Sequence, residues 1–133
     1  MGTTMKNFVI DTNILIYHLN NVLNEQAEQL LETALTHHSY ISVITRIEVL
    51  GWKSHTPDSL KNAQDLLACL DECPLNEKVV EKCITLRQTL SIKLPDAIIA
   101  ATALHLGIPL MTKNSEDFKH VPDLNVVKPC EYT

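Results

Sequence analysis

Four acidic residues in this 133-residue chain sit against or inside apolar stretches, where acids are normally avoided. Asp11 follows Phe8-Val9-Ile10 and precedes Thr12-Asn13, and Glu48 stands in Thr45-Arg46-Ile47-Glu48. Asp96 stands in Leu94-Pro95-Asp96-Ala97, and Asp117 in Thr112-Lys113-Asn114-Ser115-Glu116-Asp117-Phe118. Carboxylates held partly out of water need positive charge to offset their desolvation and mutual repulsion. A hard divalent cation such as Mg²⁺ supplies that charge and takes oxygen ligands. Such a set suits phosphoryl chemistry on a nucleic acid.

The acids must be brought together by elements whose patterns are legible. Phe8-Val9-Ile10 reads as a buried strand, with a helix starting after Asp11 and continued by Ile14, Leu15 and Leu19. An amphipathic helix is expected over 25–35, with Ala27, Leu30, Leu31 and Ala34 on one face. Tyr40-Ile41-Ser42 reads as a second strand, and 45–50 as a helix stopped by Gly51. Pro57 opens another helix that buries Leu60, Ala63, Leu66, Leu67 and Leu70. Residues 71–75 form a short connector or strand, and Asn76 caps a helix over 77–90. Pro95 opens a helix over 96–105 closed by Gly107; it is apolar nearly all round, so it belongs at the centre. Pro109-Leu110-Met111 and Asn125-Val126-Val127 complete the strands. Short apolar strands alternating with helices imply a parallel sheet covered on both faces. In such sheets the binding crevice lies beyond the carboxyl ends of the strands. Asp11 follows the first strand directly, and Thr112, Asn114 and Asp117 follow the Leu110-Met111 strand.

Each acid alone has a plainer reading. Asp11 and Asp96 fit helix caps or first-turn acids, Asp117 fits a turn, and Glu48 fits an exposed partner of Arg46 or Lys53. Together they bring a shared metal site level with the plainer readings, because four caps need not coincide with one rim.

Length and composition set the frame. Residues 1–133 fit a single domain, with residues 1–5 read as an extension ahead of it. No apolar run is long enough to span a bilayer and no secretory leader pattern opens the chain, so a soluble cytoplasmic protein is expected. The net charge of −5 counts against a simple nucleic-acid binder. Acids gathered around a cation, or an acidic surface suited to a basic protein partner, soften that objection. Cys69, Cys73, Cys83 and Cys130 read as buried, reduced thiols, since no His stands at ligand spacing beside them. None of the six histidines is assigned to chemistry, and Trp52 reads as a core or interface anchor.

The four segments carry a family resemblance. The chain resembles the PIN-domain ribonucleases, and most of all the VapC-type toxins of bacterial and archaeal toxin–antitoxin systems. The likeness rests on four segments in order: Val9-Ile10-Asp11-Thr12-Asn13-Ile14-Leu15-Ile16, the run from Ile41 through Glu48 to Leu50, the run from Leu94 through Asp96 to Ala103, and the run from Leu110 through Asp117 to Phe118. It implies a three-layer α/β/α fold with a mainly parallel sheet of about five short strands. It also implies Mg²⁺-dependent endoribonuclease activity, with Mn²⁺ able to substitute. Asp11, Glu48, Asp96 and Asp117 match the family's catalytic, metal-binding acids. Thr12, Asn13, Thr112 and Asn114 match its supporting polar positions. Arg46, Lys93 and Lys113 are candidate phosphate contacts. The resemblance further implies an RNA substrate, a cognate antitoxin and a homodimer. Leucines in 24–35 and 57–70, more numerous than one sheet face needs, point to the dimer contact.

Rival readings are an RNA-processing nuclease of this fold without an antitoxin, a non-catalytic module that only binds RNA or protein, and a phosphatase or receiver-like domain. The last wants a second acid beside Asp11, where Thr12 and Asn13 stand instead.

Overall fold

The computed structural model describes residues 7–129; the extension over residues 1–5 and Cys130 lie outside them. The order is β1 (Val9–Ile10), α1 (Thr12–Leu19), α2 (Glu25–Thr36), β2 (Tyr40–Ser42), α3 (Val43–Leu50), α4 (Pro57–Leu67), β3 (Asp71–Cys73), α5 (Glu77–Thr89), α6 (Leu94–Leu106), β4 (Leu110–Met111), a 3₁₀ turn (Ser115–Phe118) and β5 (Val126–Val127). All four strand pairings are parallel and the sheet order is β3-β2-β1-β4-β5. The chain therefore winds outward from β1 through β2 to β3, then crosses to the other side of β1 for β4 and β5. Strand order reverses between β1 and β4, the place where open α/β sheets form their crevice.

Strand periodicity divides the core in two. Ile10 and Met111 face a cluster with Phe8, Ile14, Leu15 and Leu31, under α1, α2 and α4. Val9 and Leu110 face the opposite cluster, with Val79, Leu86, Ile99 and Phe118, under α5 and α6. This is the expected α/β/α arrangement. As its composition predicts, α6 is central: Ala97, Ile99, Ala100, Ala101, Thr102 and Ala103 are all buried.

Local signals place the helix ends. Asn24 and Asn76 cap α2 and α5 by accepting from Ala27 N and Val79 N at 2.8 and 3.0 Å. Thr56 and Ser59 form a capping box ahead of Pro57, and Gly107, at φ 69°, closes α6 in the left-handed conformation. Ser42 caps α3, so that helix starts at Val43, two residues before the expected 45. Pro95 lies one residue inside α6, which begins at Leu94.

Trp52, expected as a core or interface anchor, is 56% exposed just past the end of α3 in the turn to α4, which removes the core reading and leaves the interface one. Two expectations need correction. Cys69 is exposed just beyond α4, whereas Cys73 and Cys83 are buried as expected. The leucines held in reserve for a dimer contact are spent at home: Leu30, Leu31, Leu66, Leu67 and Leu70 are buried in the chain's own core. The large apolar side chains left exposed are others, chiefly Val22, Ile47, Trp52 and Leu94.

Candidate active site

Asp11 leaves β1 at the switch point, its backbone N–H bonded to Met111 O of β4 at 2.9 Å. Its carboxylate is held from two sides. Thr112, the residue after β4, donates its hydroxyl to Asp11 Oδ2 at 2.7 Å, and Asn13 Nδ2 donates to the same oxygen at 3.2 Å. Asn13 Oδ1 accepts from Lys113 N at 3.2 Å, so one side chain fastens the first turn of α1 to the loop after β4. Thr112 Oγ1 in turn accepts from Asn114 N at 3.0 Å. Asp11, Thr12 and Thr112 are buried, which fixes this corner rigidly.

Glu48 comes from the last turn of α3 and is exposed, contrary to the half-buried position expected of it. Thr12 Oγ1 donates to Glu48 Oε1 at 2.7 Å and lies 3.1 Å from Thr45 Oγ1. A hydroxyl has one proton to give, so with Glu48 receiving it the short contact with Thr45 is made by the Thr45 proton. Sequence reasoning missed Thr45; its signal was the i, i+3 spacing that places it on the same helix face as Glu48.

Asp96 is half-buried in the first turn of α6, and Asp117 is exposed on the 3₁₀ turn. Burial lifts the Asp11 carboxyl to about 6, with the Thr112 hydrogen bond opposing and the charges of Asp96 and Glu48 adding to the rise. Burial likewise raises Asp96, helped by the charges of Asp117 and Glu48 and opposed by Lys93. Asp11 and Asp96 thus each feel the charge of other acids in the set. They also share one cleft of about 230 Å³, lined by all four acids with Thr12, Asn13, Asn114, Ile16 and Ile99. Thr112 stands behind Asp11 without touching solvent.

The donor set is oxygen only, as Mg²⁺ or Mn²⁺ prefers. Among the described residues no three His, Cys, Asp or Glu side chains close into a ready-made cage.

The three candidate phosphate contacts separate. Arg46 forms a two-pronged pair with Glu72 of β3, its Nη2 at 3.2 Å from Oε2, and does not line the cleft. It lies two residues from Glu48, which on a helix is the other side. The same pairing removes it as a partner for Glu48. Lys113 Nζ rests 5.3 Å from the centre of the Tyr17 ring, also off the cleft. Lys93 alone acts on the acids, through Asp96.

Two further cavities adjoin the cleft. A groove of about 510 Å³ meets it at Ile16 and Glu48 and is walled by Leu19, Ile47, Val49 and Trp52. At its far end His55 is held by Val49 O and Ser59 Oγ, both at 2.8 Å, with the Trp52 ring edge-on to it. A cavity of about 340 Å³ meets the cleft at Asp96 and Asp117 and is lined by 89–93, Glu116, His120 and Val121. Arg87 Nη1 donates to Ile92 O at 2.6 Å and braces that loop. Lys119 bonds Glu116 at 2.7 Å and, with His120 and Lys128, holds its carboxyl below the ordinary range.

A parallel sheet with carboxylates gathered at its switch point is the class of architecture defined here. Residues 8–124 match the PIN domain, and the chain belongs to that family. It is 26% identical over 132 residues to the ribonuclease VapC of Rickettsia bellii, covering 90% of this chain and 93% of the relative. It is 35% identical to a chain of a toxin–antitoxin complex from Klebsiella pneumoniae, with a TM-score of 0.76 and coverage of 92% and 97%. It is 26% identical to a chain of VapBC-1 from nontypeable Haemophilus influenzae, with a TM-score of 0.77 and coverage of 94% and 99%.

Proposed function

We propose that the chain is a divalent-metal-dependent endoribonuclease, a hydrolase of RNA phosphodiester bonds, and the toxin of a toxin–antitoxin pair. The observation that carries this is the convergence of Asp11, Glu48, Asp96 and Asp117 on one cleft at the switch point. The VapC relative and the toxin–antitoxin neighbours support the biological role.

Asp11 and Asp96 would hold the ion, the former fixed by Thr112 and Asn13. When bound, Mg²⁺ or Mn²⁺ lowers the pKa of a water and neutralises the scissile phosphate. Glu48, steadied by Thr12, would orient the attacking water or help hold a second ion. Asp117 would act from the outer edge, and Asn114 would fix the loop beside it.

A cognate antitoxin would silence the enzyme by laying apolar side chains into the groove of Ile16, Ile47 and Trp52, with an Arg or Lys reaching the acids past Glu48. The net charge of −5 suits a basic partner. A homodimer and a cytoplasmic location belong to the same reading; no helix among the described residues is long and apolar enough to cross a membrane. The dimer is checked by light scattering at tens of micromolar, where a monomer rejects it.

The test is cleavage of an RNA oligonucleotide. EDTA should abolish it and Mn²⁺ restore it; unchanged cleavage in EDTA rejects the mechanism. Expression alone should arrest growth, Asp11→Asn should relieve the arrest, and co-expression of the neighbouring gene should rescue it. Harmless expression of a chain that cuts RNA in vitro would remove the toxin role and leave the nuclease.

A further inference from the structure

An RNA strand drawn to this cleft meets four carboxylates in a chain of net charge −5. A metal neutralises the scissile phosphate alone; the neighbouring phosphates need cations of the protein. Two of the three basic side chains considered for phosphate contact are committed elsewhere. Arg46 is paired with Glu72, and Lys113 lies over Tyr17. The apolar groove offers only His55, whose two ring nitrogens already have partners.

The remaining flank differs. Its cavity shares Asp96 and Asp117 with the acid cleft, so the two adjoin there. Lys93 and His120 line it, and Lys119 and Lys128 act on Glu116 at the same edge. Lys93 precedes α6 as its capping residue but makes no side-chain cap bond. Glu116, the acid that would oppose a polyanion here, is bonded to Lys119. Leu90 and Val121 give the cavity apolar wall, and Thr89 and Ser91 give it hydroxyls. Its volume of about 340 Å³ falls within the usual range for ligand sites, roughly 300–1,000 Å³.

We propose that this cavity is the subsite for the RNA strand on one side of the scissile phosphate, with the Lys93 ammonium on the adjacent backbone phosphate and the His120 ring beside the same nucleotide. It rests on the ribonuclease reading. The strand thus leaves the metal site past α6 and the 3₁₀ turn, away from the Trp52 groove. Lys93 is a binding residue here, and His120 acquires a role that its sequence context does not announce.

The experiment measures binding of a fluorescein-labelled single-stranded RNA and its cleavage in Mn²⁺, over a series of salt concentrations. Lys93→Gln should raise Kd and KM about five- to tenfold, with Lys93→Arg close to wild type. It should also make the slope of log affinity against log salt shallower by about 0.7, the value for one lost single-strand phosphate contact. His120→Ala should raise KM by a smaller factor. Lys61→Gln, which removes an equal charge from α4, should leave the slope unchanged. Lys93 also acts on Asp96, so a role through the metal site alone would change Mn²⁺ affinity and leave the salt slope where it was; that result overturns the subsite. Wild-type Kd, KM and slope in both Lys93→Gln and His120→Ala, in a chain that cuts RNA, overturn it too and spare the ribonuclease reading. A chain that neither binds nor cuts RNA overturns both.

Discussion

The two flanks of the acid cleft are built from different materials. The Glu48 flank is walled by Ile16, Ile47 and Trp52, two of them more than half exposed. The Asp96 flank carries Lys93, His120, Thr89 and Ser91 beside Glu116 and the apolar Leu90, Ile92 and Val121. Apolar surface gains from contacts that exclude water, which suits a folded partner with its own apolar face. Cations and hydroxyls suit a wet, flexible polyanion held by its backbone. A nuclease that must both act and be restrained needs both surfaces. Meeting the cleft at different acids, Glu48 for one and Asp96 and Asp117 for the other, they would let the proposed inhibitor reach the site without copying the substrate.

The largest expected effect removes what the flanks share. Asp11→Asn and Asp96→Asn should each lower RNA cleavage by about a thousandfold or more, since metal activation of the water is lost. Circular dichroism should show the fold intact. Wild-type cleavage by both variants would mean that the chemistry lies elsewhere. Next comes the contrast between the flanks. Trp52→Ala should weaken antitoxin binding by about 2 kcal/mol, roughly thirtyfold, as an aromatic anchor does, whereas Lys93→Gln should act on RNA. Isothermal titration with each ligand checks the pair. Equal losses on both ligands would mean that substrate and antitoxin use one surface. Thr45→Val should be milder, about a few-fold in kcat, by loosening the hydroxyl pair that steadies Glu48.

Parts of this were legible in the sequence and parts were not, for physical reasons. The apolar run of α6 and the strand–Asp junction at Ile10–Asp11 are local patterns, and they marked the central helix and the corner that Asp11 occupies. Thr112 was readable because it directly follows the Leu110-Met111 strand and matches a supporting position of the family; its bond to Asp11 comes from β4 lying beside β1. The fate of Arg46 was not, because its partner Glu72 is 26 residues away on another strand. Nor was the exposure of Trp52, since periodicity says nothing of what covers a residue past the end of its helix. The two flanks were equally hidden. Each is assembled from separate segments, and neither leaves a motif in any one of them.

The smallest effect is on stability, and its sign follows from Asp11. Its carboxyl titrates near 6 in the folded chain against 3.8 ordinarily. Between those values the folded state binds more protons than the unfolded state, so stability falls as pH rises from about 4 to 6 and levels above. The shift of roughly 2 units corresponds to an upper bound of about 3 kcal/mol. In EDTA, thermal melts should therefore show the wild type losing a few degrees across that window. Asp11→Asn should remove this contribution and melt higher than wild type at pH 7. Mn²⁺ should reverse the order at pH 7, because the wild type gains a bound cation and the variant loses its principal ligand. It should do much less at pH 5, where protons compete for the same oxygens. A wild type whose melting temperature in EDTA rises through this window, with Asp11→Asn following it in parallel, would show that Asp11 is not the desolvated acid of the cleft. The two flanks would then surround a different centre.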